Sequence, residues 1–235
     1  MSDEQPDAGT ADSADRIRFE VRNQVAWLTI DSPDRGNALT PAMRDRLGGL
    51  LRGLNGRFEA RAAVITAVGD RHFCTGADLS APRPPAPRPE GAPQPAVGEA
   101  RRMMLDGQLT LMPSVLDCEI PVVAAVNGTA AGIGAHLALC CDLVLMADHA
   151  RFVEVFARRG LVPDGLGAWI LPRLVGLQKA KELVFLAEDV PAEEALRLGL
   201  CNRVVPGDDL LDAATEWAER LASGPTRSFK LSKWL

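Results

Sequence analysis

Hydrophobic and polar positions change their spacing repeatedly along this chain, and each change predicts an element. Residues 17–21 and 25–30 alternate apolar and polar around Asn23-Gln24, the pattern of a β-hairpin. Thr40 followed by Pro41 predicts a helix start, because threonine caps a helix and proline suits its first position; the helix runs to Asn55-Gly56. Residues 62–66, 122–126 and 143–147 are short apolar runs that read as buried strands. Shorter strands are predicted at 151–155 and 201–205. Helical spacing appears at 99–116, 168–174, 179–186, 192–198 and 209–222, with Gly176 and Gly199 as stops. Repeated strand–turn–helix units make the fold class α/β.

Three turns stand out between these elements. Residues 121–142 read PVVAAVNGTAAGIGAHLALCCD: a buried strand, a small-residue turn ending in Gly132-Ile133-Gly134, and an apolar helix from about 135 to 141. Such a turn presents backbone N–H groups and the positive end of a helix dipole to an oxyanion, unless its glycines serve packing alone. Residues 72–80, HFCTGADLS, form a second strand-to-turn unit. Two such turns are the parts of an oxyanion hole. The third turn, GLVPDGLG at 160–167, carries Asp164 just before a helix.

Two segments depart from the pattern. Residues 1–15 are polar and small, predicting a disordered leader before a core at 16–235. Residues 81–98 are proline-rich, which predicts a mobile linker or a lid over the site, with a motif for proline-recognition domains as a further reading. The whole chain of 235 residues is 47% hydrophobic, enough for a sizeable core. A net charge of −5 argues against general nucleic-acid binding. No apolar run approaches the ~18 residues of a membrane span, and the N-terminus lacks the apolar stretch of a signal peptide. The five cysteines are odd in number and lack metal-ligand spacing, so buried thiols in a reducing cytoplasm are expected, with no metal. The chain has no tyrosine to act as acid or oxyanion donor.

Residues 37–40 (NALT), 73–79 and 121–142 together resemble the enoyl-CoA hydratase/isomerase (crotonase) superfamily, over about residues 17–234. The resemblance implies a spiral of repeated β-β-α units, with two roughly perpendicular sheets flanked by helices. It implies an acyl-CoA substrate, coenzyme A entering as part of that substrate rather than as a resident cofactor, and a homotrimer or hexamer. Relatives continue beyond the position matching Leu235, so the C-terminal trimerisation helices are expected to be truncated.

The same resemblance makes the N–H groups of Ala77 and Ile133 the oxyanion donors. It carries the two glutamates of hydratases onto His136 and Phe156. Phe156 cannot move a proton, so hydration is doubtful unless a shift of register brings in Glu154. Isomerases of this kind place an aspartate where Asp164 stands. Desolvation in an apolar pocket would raise its pKa towards that of a working base, whereas an ordinary aspartate there would cap the next helix. His136 is either a packed core group or a second proton carrier. For coenzyme A and the acyl chain, resemblance points to Asp34, Arg35 and Gly36, to Gly76, Ala77, Asp78, Leu79 and Ser80, and to Gly132 and Phe156. Lys230 and Lys233 are candidate contacts from the C-terminal end, or solvated charges. Trp169 would wall the acyl pocket or pack in the core. The expected reaction is double-bond isomerisation with Asp164 as base. A crotonase-type hydrolase or lyase and a non-catalytic acyl-CoA-binding protein are the alternatives.

Overall fold

The computed structural model describes residues 16–57, 59–80, 90–91, 105 and 107–234. The leader at 1–15, the proline-rich stretch apart from residues 90–91, and most of the first half of the helix expected at 99–116 lie outside these residues.

The chain opens with a hairpin of β1 (Ile17–Arg22) and β2 (Val25–Ile30). Asn23 and Gln24 both take left-handed backbone (φ 50° and 63°), the two-residue turn that matches strand twist. Helix α1 (Pro41–Gly53) follows. The Thr40 hydroxyl accepts the Met43 N–H at 3.2 Å, satisfying one of the orphan donors of the first turn. Thr40→Ala is expected to cost about 1 kcal/mol in urea unfolding, with no change in slope.

Next come β3 (Ala62–Ala67), β4 (His72–Cys74), α2 (Gln108–Leu116), β5 (Val122–Val126), β6 (Thr129–Ala131), α3 (Ile133–Leu139), β7 (Leu143–Ala147) and β8 (Arg151–Val153). The chain ends with α4 (Gly167–Leu186), β9 (Asp189–Pro191), α5 (Ala192–Leu198), β10 (Arg203–Val205), α6 (Leu210–Ala222) and α7 (Thr226–Trp234). One sheet has the order β1-β2-β3-β5-β7-β10, parallel beyond the hairpin. The other has the order β4-β6-β8-β9, parallel except for β9. The consecutive pairs β3/β4, β5/β6 and β7/β8 each send one strand to each sheet. That alternation winds the chain into a spiral of two sheets flanked by helices.

Burial explains the strand compositions. β3 and β5 are covered on both faces and are wholly apolar but for Thr66, whose hydroxyl bonds Ala125 O at 3.0 Å. β1 lies at the sheet edge and leaves Phe19 and Val21 exposed. Two asparagines pin the loops behind the sheets. The Asn37 amide donates to Val68 O and His72 O while its oxygen accepts from Ser32 N–H; the Asn127 amide donates to Ala67 O and Gly69 O.

Several boundaries differ from the expectation: α1 stops at Gly53 and β10 starts only at Arg203. α3 begins at Ile133, two residues early, because the close-packed glycine turn is already helical. The strand at 151–155 stops at Val153, where the chain turns inward at Glu154. The helices at 168–174 and 179–186 are one element, bent where Gly176 takes a positive φ of 76°. Among the described residues no helix is long and apolar enough to cross a membrane, and no His/Cys/Asp/Glu group could hold a metal.

Candidate active site

The first two turns dovetail. A Cβ at Gly134 would lie 2.0 Å from Cys74 O, so the first turn of α3 rests directly on the end of β4. Only glycine permits that approach. A Cβ at Gly76 (φ 110°) would lie 3.3 Å from Ala131 O and 4.0 Å from Ile133 Cγ1, which brings the two turns side by side. Leu39 bonds both neighbours of Ala77: its N–H donates to Gly76 O at 2.8 Å, and Asp78 N–H donates to Leu39 O at 2.9 Å. The N–H of Ala77 itself therefore points away from Leu39. Ile133 is the first residue of α3, and a first-turn N–H has no acceptor within its helix. The Ile133 side chain is buried towards the third turn, 3.4 Å from a Cβ placed on Gly165.

Asp164 is half-buried in the third turn. Its Oδ1 is buried and meets no hydrogen-bond partner among the described residues. Desolvation pushes its carboxyl above the ordinary 3.8, and His136 pulls in the opposite direction. The expected alternative of a helix cap is not what the structure holds. Gly165 and Leu166 both take left-handed backbone, α4 starts only at Gly167, and no side chain caps it. The Gly167 N–H goes instead to the main-chain oxygen of Asp164 at 3.2 Å, so the carboxyl does not cap α4.

His136 is fully buried, and its Nε2 lies 3.0 Å from Glu154 Oε2, itself buried. Phe156 stacks on the imidazole with centroids 5.1 Å apart and 17° between planes. Gly167 covers the ring edge so closely that a Cβ there would fall 2.1 Å from Cε1 and Nε2. The imidazole is thus enclosed, and direct contact with substrate as a proton carrier does not fit this packing. Phe156 also approaches Gly132, 3.5 Å from a Cβ placed there, so its ring lies between the second turn and the imidazole. The Glu154–His136 pair escaped the sequence reading. Its one visible signal was a lone glutamate in the apolar string FVEVF.

Residues 34–36 and 76–80 form one patch. Arg35 Nη1 donates to Asp78 Oδ2 at 2.8 Å, Ser80 donates to Asp78 Oδ1 through its hydroxyl and its N–H, and the Thr75 hydroxyl donates to Gly36 O. The Ser80 hydroxyl and Arg35 bring the Asp78 carboxyl down to about 2. Asp34 pairs with Arg16, and Leu79 is exposed. The lysines serve elsewhere. Lys230 pairs with Glu119, and Lys233 reaches Asp142 at 2.7 Å and Ile120 O at 3.2 Å, fastening α7 to the chain around β5. Trp169 is not in the core: it is 43% exposed, with the Arg173 guanidinium 4.1 Å above its ring. All five cysteines are unpaired and buried, and burial raises the Cys74 and Cys140 thiols to about 12, which removes them as nucleophiles.

Comparison with known proteins gives matches over most of the chain. The enoyl-CoA hydratase/isomerase family model matches residues 20–234. A Rhodobacter capsulatus protein named "Probable enoyl-CoA hydratase" is 40% identical over 92% of this chain and 79% of its own length. The 1,2-epoxyphenylacetyl-CoA isomerase of Escherichia coli is 35% identical over 92% of this chain and 80% of its own. The crystal structure of an enoyl-CoA hydratase from Bacillus anthracis superposes with a TM-score of 0.82 at 30% identity, covering 93% of this chain and 81% of that one.

Proposed function

This chain belongs to the enoyl-CoA hydratase/isomerase family, and from that premise we propose that it isomerises the double bond of an enoyl-CoA thioester. The observation that carries this reading is the Asp164 carboxyl, uncapped, desolvated and raised in pKa, on the turn beside Ile133. The thioester oxygen would accept the Ala77 and Ile133 N–H groups. Asp164 would take a proton from C2 of a β,γ-unsaturated acyl chain. The electron pair would delocalise through C2–C4 onto the thioester oxygen as a dienolate. Asp164 would then return the same proton to C4, leaving the α,β-unsaturated product with no net change of atoms. One oxyanion donor of this kind is typically worth about 10²–10³ in rate.

Hydration needs a second group able to hold and activate water. At the two positions that resemblance assigns to hydratase glutamates stand an enclosed imidazole and a phenyl ring. Glu154 is a carboxylate nearby, but it is buried and committed to His136. The patch around Arg35, Asp78 and Ser80 would receive coenzyme A. A reducing cytoplasm suits five unpaired thiols.

The test is incubation in D₂O with saturated and β,γ-unsaturated acyl-CoAs, read by mass spectrometry and NMR. Deuterium uptake at C2 and migration of the double bond are expected. Tight binding with neither would overturn the isomerase and favour an acyl-CoA-binding protein, the reading to which Phe156 lends support.

A homo-oligomer, trimeric or hexameric, would cover the apolar side chains that the bent helix α4 and the third turn leave exposed, among them Leu161, Val162, Leu177, Phe185 and Leu186. Phe185 is 70% exposed, so its replacement by aspartate is expected to leave the monomer folded while light scattering shows a loss of assembly.

A further inference from the structure

Outside the proposed chemistry, the described residues contain one ion-pair contact whose two side chains are both buried, Glu154 with His136. A carboxylate accepts hydrogen bonds and cannot donate one, so with Glu154 as a carboxylate the proton between them belongs to Nε2 of His136. That orientation leaves the opposite nitrogen, Nδ1, facing the third turn, 3.4 Å from a Cβ placed on Gly165 and with no partner among the described residues. The next residue towards the N-terminus is Asp164, whose Oδ1 is likewise buried and unpartnered. Gly167 follows two residues after Gly165 and admits the imidazole only because it lacks a side chain. The third turn is therefore shaped around a ring whose far side is tied to Glu154.

We propose that Glu154 and His136 are positioning residues for Asp164: Glu154 fixes the imidazole with Nε2 protonated, and the imidazole, when it carries charge, keeps the Asp164 carboxyl in the ionised form that a base requires. The inference rests on Asp164 being the base. Neither dyad residue touches substrate, since both are buried beneath Phe156 and the third turn. A positive imidazole so enclosed needs a paired anion, and Glu154 supplies it. The groups that meet the imidazole from the elements around it are few. Glu154 comes from the chain after β8 and Asp164 from the third turn, while the chain at 156 presents Phe156 and α2 brings Met112 to within 3.5 Å of a Cβ placed on Gly165, and neither titrates. The influence on Asp164 is consistent in sign: His136 lowers its pKa while burial raises it.

The sign fixes the expectation for Glu154→Gln. The amide removes the anion that lets the imidazole charge, so Asp164 should hold its proton to higher pH. The experiment follows the ¹³Cγ resonance of Asp164, assigned by its absence in Asp164→Asn, in wild type, Glu154→Gln, Glu154→Asp and His136→Gln. The Asp164 midpoint is expected to rise by about one pH unit, a tenfold change in acid constant, in Glu154→Gln and His136→Gln, with partial recovery in Glu154→Asp. The acid limb of kcat/KM should move with it, while Kd for a saturated acyl-CoA stays unchanged. An unmoved midpoint in folded variants overturns the proposal. A uniform fall in kcat at all pH values with no shift does the same and assigns the pair a packing role. Should the variants fail to fold, ¹⁵N spectra of His136 in the wild-type protein decide: both ring nitrogens must be protonated over the pH range in which Asp164 titrates, and a ring that is neutral there, or protonated at Nδ1 alone, overturns the proposal. Because the carboxyl titration needs no turnover, an inactive protein would refute the isomerase reading without settling the dyad.

Discussion

Asp164→Asn is expected to abolish C2 proton exchange and double-bond migration, lowering kcat by about 10²–10⁴ while acyl-CoA still binds. The amide keeps the shape of the carboxyl but cannot take the proton. In wild type the acid limb of kcat/KM should lie above the ordinary 3.8, because desolvation raises the carboxyl and only the ionised form is a base. Activity should be full above that limb and lost as pH falls through it. Loss of activity by unfolding is excluded by the sign of the linkage. A carboxyl whose folded pKa is raised costs the fold stability once it ionises; the cost is absent below the unfolded value and fully present above the folded one. Asparagine carries no such cost, so the variant should melt no lower than wild type at pH 8. A variant that retains exchange would remove Asp164 from the chemistry.

Gly134→Ala is expected to be among the most damaging single-methyl changes in the chain. The added Cβ would meet Cys74 O at 2.0 Å and Cys74 C at 2.7 Å. Those are backbone atoms, so neither can swing aside as a flexible side chain would. Either the end of β4 or the first turn of α3 must move, and both lie in the buried core. A loss of about 3 kcal/mol or more in chemical denaturation is expected, the upper range for overpacking. Any folded fraction should also lose activity, because the same shift separates the Ala77 and Ile133 N–H groups. A misplacement of about 1 Å in such a constellation can cost about 10²-fold in rate. Wild-type stability and turnover in Gly134→Ala would show that the two turns are not in the contact described.

The contrast between the glycine turns and the imidazole shows where sequence reading succeeds. Asn23-Gln24, Thr40-Pro41 and the run Gly132-Ile133-Gly134 act through their own backbone and immediate neighbours. The first turn, the first helix cap and the glycine turn before α3 could be placed from the order of residues alone. The buried strands were legible for the same reason, since full burial on both faces demands unbroken apolar side chains. Boundaries drifted by two residues at α3 and β8, where packing rather than propensity ends the element.

The sequence by itself determined the α/β class, the order of the strand–turn–helix units and the places of the two glycine-rich turns, each of which follows from local spacing; the family resemblance singled out Asp164. Only the tertiary structure decided what the side chains do. It joined His136 to Glu154, 18 residues apart, by stacking α3 against the end of β8. It showed Asp164 to be uncapped, because two left-handed residues push the start of α4 beyond its reach. It placed Trp169 at the surface and tied Lys230 and Lys233 to acidic partners. Such pairings depend on how successive turns of the spiral lie on one another, and linear spacing does not encode which distant side chains that stacking brings within a few ångströms.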